Sequence, residues 1–422
     1  MRWRFARGTT PRDMTQMGPL AHRGRLLATL RVQYPDTIDT RGGYRLLHPE
    51  TGDPYTDHRR HLVATCRSVV NAALGVIADG PSWCFDAAVH GISFIERAHR
   101  VSEGSDAGND AGYELVVTTD GDPIDRTRSA YGHAFVLLAF ARAVAAGVDG
   151  AKARLEATVD LLDHRFHDGT GCLRSDCDTA WTDLEAYRGQ NANMHACEAY
   201  LAAYEATGNE TYLDRAARIA ERITVDLAAE TDGLLWEHYT ADWTHDFAYN
   251  EDEPRHQFRP PGYQPGHHVE WAKFLALLDR YDAAFPPSLA EAGWYGRAVE
   301  LFDAAIDTGW TEAGFAYTVD GDGSVIVGDR YGWVIAEAIG ATAALTERAR
   351  DRNEASDVTR FRNWHSQLFD CVDAYRGPAG LWYESLPAAG DTGSPVSPEP
   401  PGVEPEYHPA TAFFESWRSG RR

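Results

Sequence analysis

The stretch Gln264-Pro265-Gly266-His267-His268-Val269-Glu270-Trp271 puts two histidines and a glutamate at the start of an apolar-periodic run through Phe274, Leu275 and Leu278. Pro and Gly close a loop, and the periodic run that follows reads as a helix. Residues three apart share a helix face, so His267 and Glu270 can point the same way. An imidazole beside a carboxylate can transfer protons near neutral pH. The alternative is a polar first turn facing solvent. His268 competes with His267, because adjacent helical positions diverge by about 100° and only one should face a pocket.

Further candidates fall at comparable places along the chain. These are Arg67; Tyr131 and His133; Asn191, Asn193 and His195; Trp333 and Glu337; and Tyr407 with His408. Each has a plainer reading. His195 suits a hydrogen-bonded core histidine. His133 lies on an apolar helix and reads as structural. Trp333 can be a core aromatic or a face for a sugar ring. Arg67 suits an internal ion pair, and His408 a helix cap.

The elements that would bring these groups together follow from a repeat. A glycine followed by a short extended stretch recurs at Gly43, Gly112, Gly171, Gly233, Gly314 and Gly380, spaced 69, 59, 62, 81 and 66 residues apart. Such spacing signals a repeat architecture. Each glycine is expected to end a helix as its left-handed cap. Between the glycines the periodicity predicts helices at 19–33, 57–78, 82–101, 129–147, 149–166, 191–208, 210–229, 266–285, 288–308, 331–349, 355–376 and 408–418. Six helix pairs with short β-hairpin excursions give an all-α (α/α)6 barrel, with an open solenoid as the alternative. The whole of 1–422 then forms one domain, with 1–18 as a flexible tail. Inner helices starting at one rim would converge their polar first turns on one pocket.

Composition narrows the function. The chain is 422 residues long, 43% hydrophobic, and carries a net charge of -23. Only Lys152 and Lys273 are lysines. That balance argues against a nucleic-acid partner. It fits either a saline, halophilic cytoplasm, where salt screens carboxylate repulsion, or a GC-rich genome. No apolar run of about 18 residues suggests a membrane span, and the basic N-terminus lacks the apolar core of a secretory signal. Six scattered cysteines read as buried thiols of a reducing, cytoplasmic compartment. His164, His167, Cys172 and Cys177 crowd together but match no standard zinc spacing.

The motifs resemble the N-acylglucosamine 2-epimerase superfamily, which includes mannose isomerases, sulfoquinovose isomerase and cellobiose 2-epimerases. The matching pieces are Tyr131-Gly-His-Ala-Phe, Asn191-Ala-Asn-Met-His-Ala-Cys-Glu-Ala, Phe258-Arg-Pro-Pro-Gly-Tyr-Gln-Pro-Gly-His-His-Val-Glu-Trp, Gly314-Phe-Ala-Tyr with Asp329-Arg-Tyr-Gly-Trp, and Tyr407-His-Pro. The family fold is an (α/α)6 barrel. The resemblance implies His267 and His408 as the acid/base pair and His195 as a third pocket histidine. Glu270 would orient or assist His267, and Arg67 would face the substrate oxygens at C1 and C2 and stabilise an enediolate. Tyr131, Asn191, Gln264 and Trp333 would line the sugar site. The chain departs from the family where Tyr407-His-Pro is followed by Ala-Thr-Ala instead of an arginine.

The reaction so implied is aldose–ketose isomerisation of a free monosaccharide such as mannose, with no metal and no cofactor. The runner-up is a sugar 2-epimerase. Further off stands an (α/α)6 glycoside hydrolase, for which Asp176, Asp178, Asp183, Glu337 and Glu384 are candidate carboxylates. The expected partner is a small sugar, on a monomer or homo-oligomer.

Overall fold

The computed structural model describes residues 18–101, 111–285 and 293–421. The expected tail, apart from Gly18, and the start of the helix expected over 288–308 lie outside them.

Helices rich in small and aliphatic residues divide into two kinds by how much of their circumference they bury. Pro265–Asp279 buries every residue, as a helix wrapped by protein on all sides must. Glu210–Glu221 buries only a stripe: Tyr212, Leu213, Ala216, Ala217, Ile219 and Ala220. The described residues form twelve α-helices: α1 Pro19–Gln33, α2 Leu62–Ile77, α3 Trp83–Phe94, α4 Ala130–Ala145, α5 Ala151–Leu161, α6 Gln190–Thr207, α7 Glu210–Glu221, α8 Pro265–Asp279, α9 Trp294–Gly309, α10 Gly332–Asp351, α11 Ala355–Cys371 and α12 Tyr407–Gly420. The even-numbered helices make an inner ring in which each packs on the next and α12 returns to α2. Outside it, α3, α5, α7, α9 and α11 each back the inner helix before them, while α1 backs α12. The result is an (α/α)6 ring closed by its first and last helices.

Two expectations about local structure change. Residues 57–61 are not helical. Arg59–His61 is a strand, and the His61 side chain caps α2 by accepting from the Val63 N–H at 3.1 Å. The repeat glycines do adopt left-handed φ, from +67° at Gly43 to +137° at Gly314. Most of them turn the chain instead of ending a helix. The residue after the helix is already extended at Arg100, His167, Trp310 and Arg376. Those four residues then bridge Tyr113, Leu173, Phe315 and Trp382, just past a glycine. The left-handed residue closes a small hairpin, a position that favours glycine.

These excursions fix where the inner helices begin. Arg59–His61, which enters α2, pairs with Val116–Thr118 of the next excursion. Tyr187–Gly189, entering α6, pairs with His238–Thr240. Arg330–Tyr331, entering α10, pairs with Ser385–Leu386. Each pairing ties a helix start to its neighbour's loop, so those first turns share one rim.

Candidate active site

The rim of inner-helix starts surrounds a cavity with about 810 Å³ of atom-free space, its open mouth included. Arg67 (α2), Tyr131 (α4), Asn191 and His195 (α6), Gln264, His267 and Glu270 (α8), Trp333 (α10) and His408 (α12) all line it. The nine residues to which the resemblance assigns a role thus meet in one place. Trp333 stands between two of the imidazoles, with ring centroids 5.3 Å from His267 and 5.8 Å from His408. Gly266 makes this possible, because a Cβ there would lie 2.3 Å from the Trp333 ring.

Each of the three cavity histidines is held through Nδ1 by a buried carboxylate. His195 bonds Glu198 at 3.0 Å, His267 bonds Glu237 at 2.9 Å, and His408 bonds Glu337 at 2.7 Å. A carboxylate on Nδ1 accepts the N–H, fixes the tautomer and leaves Nε2 for other chemistry. Gln190 Nε2 also lies 2.8 Å from His267 Nδ1. Gln190 Oε1 accepts from Trp271 Nε1 at 2.7 Å, so the amide is oriented with Nε2 toward Glu237 Oε2, also at 2.7 Å. An amide N–H can only donate, so Nδ1–H goes to Glu237, and the Gln190 amide shares that acceptor.

The three imidazoles differ in charge. Burial pushes His195 down to about 4, beyond what Glu198 restores. Burial also opposes charge on His408, but Glu404 and the Glu337 bond overcome it and raise it to about 9. His267 is likewise raised, with Glu237 outweighing burial. At neutral pH the site therefore holds one neutral imidazole and one firmly protonated one.

Glu270 makes no hydrogen bond through its buried Oε1. It lies between two groups, His195 with Glu198 and Glu337 with His408, whose ligand atoms come within 4.8 Å of its own. Burial, then the charge of Glu337, raises the Glu270 pKa. Its place is among the imidazoles, and the carboxylate bonded to His267 is Glu237. Arg67 lies between the rings of Phe135 and Tyr407, its guanidinium carbon 4.7 and 4.8 Å from their centroids. It donates to Tyr131 Oη at 3.1 Å, to Val403 O at 2.9 Å and to Glu404.

The remaining candidates are occupied elsewhere. His268 contacts Gln264 O through Nδ1 and accepts from Leu235 N through Nε2. His133 is likewise bound at both nitrogens by backbone, Ser129 O and Tyr113 N. Asn193 bonds both backbone groups of Leu173. Among the described residues, the clusters able to hold a metal are the two that share Glu270, so His164, His167, Cys172 and Cys177 form none. Of the five carboxylates considered for hydrolysis, only Glu384 lines the cavity. Asp176 meets Arg259, Asp178 accepts from Thr182 and Asp183 N–H groups, and Glu337 is tied to His408 and Lys273.

Sequence reasoning did not assign roles to Glu198, Glu237, Glu404 or Lys273. A signal existed for two of them. His195 and Glu198 have the three-residue spacing that was read at His267 and Glu270. Glu237 ends the fourth glycine repeat, Gly233-Leu-Leu-Trp-Glu, as Glu384 ends the sixth.

A closed (α/α)6 ring whose mouth gathers carboxylate-backed imidazoles with an arginine can carry the proton transfers of sugar isomerisation or epimerisation. The family model for N-acylglucosamine 2-epimerase matches residues 42–412, and the chain belongs to that family. It is 33% identical over 392 residues to a D-mannose isomerase of Marinomonas mediterranea, covering 92% of this chain and 94% of the relative. A D-mannose isomerase of Thermobifida fusca is 36% identical over 371 residues, 84% of each chain. The crystal structure of a D-mannose isomerase superposes with a TM-score of 0.82 at 31% identity, covering 97% of this chain and 100% of the other.

Proposed function

We propose that this chain is an aldose–ketose isomerase that interconverts mannose and fructose, working as one catalytic domain. The observation that carries the reading is the set of three Nδ1-anchored imidazoles, His195, His267 and His408, around one cavity with Arg67. The D-mannose isomerase relatives supply the sugar.

A proton α to a sugar aldehyde is weakly acidic, so a base must remove it while the developing oxyanion is stabilised. His267 Nε2 takes the proton from C2, and His408 Nε2–H donates to O1, giving the enediol. His267 then returns its proton to C1, while His408 recovers one from O2, and the ketose results. His195 is neutral and serves as the base or acceptor for ring opening. Glu270, holding a proton, donates to a sugar hydroxyl. Arg67 supplies positive charge near O1 and O2, so the step needs no metal. Tyr131, Asn191, Gln264 and Trp333 shape the sugar site.

NMR of mannose, glucose and fructose with the protein in deuterated water tests this. Mannose should yield fructose with solvent deuterium at C1, in chelator-treated protein as well. Glucose from mannose without fructose would make it a 2-epimerase. No exchange with any aldose would reject the proposal.

A further inference from the structure

Lys273 is one of two lysines in the chain. Lys152 lies on the surface, whereas Lys273 is 4% exposed on α8, one turn beyond Glu270. Its Nζ contacts Glu337 Oε2, and the other oxygen of the same carboxylate holds His408 Nδ1. The partner helix makes room for it. Gly340, one turn beyond Glu337 on α10, faces the lysine stem, and a Cβ there would lie 3.1 Å from Lys273 Cδ. The ammonium also sits 4.5 Å from the Phe274 ring centroid.

Two carboxyls face each other here. Glu270 and Glu337 each offer an oxygen to one group with His408, within 4.8 Å. Like charges so close in a buried site cannot both ionise, and one carboxyl must keep a proton. A cation placed against one of them decides which. We propose that Lys273 is a positioning residue that keeps Glu337 the anion and Glu270 the neutral acid, and thereby holds His408 protonated as the proton donor. The inference rests on the isomerase reading for its consequence in turnover, but not for the charge assignment itself.

Several charged groups surround this pair. Glu270 on α8, Glu337 on α10 and Glu198 on α6 act on Lys273. His408 faces Glu337, Glu404, Glu270 and Arg67, with His195, His267 and Tyr407 alongside. Beneath Lys273 a second cavity runs on to Arg142, Glu205, Glu415 and Arg418. Of the cations among these, Lys273 and protonated His408 contact Glu337, and Lys273 does most to hold its carboxylate charged. Arg67 is committed to Glu404, and Arg142 and Arg418 to Glu205. Removing Lys273 leaves Glu337 with His408 as its one cationic contact among the described residues, and the shared proton can move from Glu270 to Glu337.

The test follows His408 by NMR of its imidazole, assigned by its loss in His408→Asn. In the wild type it should titrate near 9. In Lys273→Met it should titrate about 1 unit lower, because the carboxyl bonded to its Nδ1 then carries the proton and the anion moves to Glu270. The alkaline limb of the kcat profile should move by the same amount. At neutral pH kcat should fall about tenfold or more with little change in KM, and Lys273→Arg should restore part of it. Lys273→Gln keeps a donor without the charge and carries the same titration if the Met variant does not fold. Infrared spectra of the wild type supply a reading that needs no Lys273 variant. A protonated-carboxyl component should be present and be lost in Glu270→Gln, leaving the background of Glu384 and Glu406, which burial raises to about 7. An unchanged His408 titration in a folded variant, or a component that survives Glu270→Gln and is lost in Glu337→Gln, overturns the assignment. Failure of the wild type to convert any sugar overturns the isomerase reading alone, because the titration and the band do not depend on turnover.

Discussion

An imidazole anchored at Nδ1 by a buried carboxylate gains a fixed direction and a stronger base in the same bond, and the two effects can be separated by substitution. Replacing the His267 ring, as in His267→Ala, removes the proposed acceptor of the C2 proton. Solvent exchange at C2 should fall at least about 100-fold while the circular dichroism spectrum is unchanged; retained exchange would dismiss the assignment. Glu237→Gln tests the finer point. His267 must be neutral to accept the proton, and Glu237 holds its pKa above the ordinary value. His408 must be protonated to donate, and it loses its proton at about 9. Activity should rise as pH passes His267 and fall again near His408, giving a bell with an alkaline shoulder. Without the Glu237 charge the acid limb should move to lower pH and the alkaline limb should stay. A profile whose two limbs move together would instead point to a general loss of structure.

At the level of elements, the contact between α8 and α10 sets the spacing of the catalytic groups. Gly266 lets the Trp333 indole reach the first turn of α8, and an added Cβ would also lie 2.8 Å from Val334 Cγ2. Gly266→Ala should therefore cost about 1–3 kcal/mol, as overpacking does. It should also raise KM, because Trp333 moves relative to His267 and His408. Thermal melts and steady-state kinetics on the same sample check both, and an unchanged KM would remove Trp333 from the sugar site. The helices of this contact were legible from periodicity, as were the residues of their first turns, because a helix start is written locally in Pro, Gly and the apolar repeat. The role of the repeat glycines was less so. Their left-handed φ was expected, but the hairpins they close depend on pairing with residues beyond a helix end. Glu237 was hidden for the same reason. Glu237 lies 30 residues from His267 along the chain and reaches it because its excursion pairs with Tyr187–Gly189. Glu337 was visible at the right place in the repeat, but nothing local joins it to a histidine 71 residues away.

Across the whole molecule, closure of the ring buries polar groups that an open chain would leave in water, and their protonation couples to folding. His61, His133, His195 and His268 are pushed down to about 4, and His99 and His365 to about 3, burial being the first cause in each case. Their folded pKa values lie below the unfolded value of about 6.5. As pH falls below that value the unfolded chain binds protons that the native chain refuses, so stability is lost on the acid side. Each group contributes up to about 1.4 kcal/mol per pH unit until its folded pKa is reached. Glu198, Glu404 and Glu415, lowered to about 2, add to the loss between their unfolded pKa and that value. His408 acts in the opposite sense. Its stabilisation is full below about 6.5 and is lost as pH rises through about 9,. His267 and the buried acids Glu270, Glu384 and Glu406, all raised, act in the same sense as His408 and offset part of the loss, and the six lowered histidines leave the acid side dominant between pH 6 and 5. The melting temperature should peak near neutral pH and drop steeply between pH 6 and 5. Calorimetry at pH 5 in buffers of different ionisation enthalpy should record uptake of more than about three protons on unfolding. Uptake near zero would mean that these histidines are solvated in the folded ring, which would contradict the closed packing that places His195 at the cavity and His268 behind it.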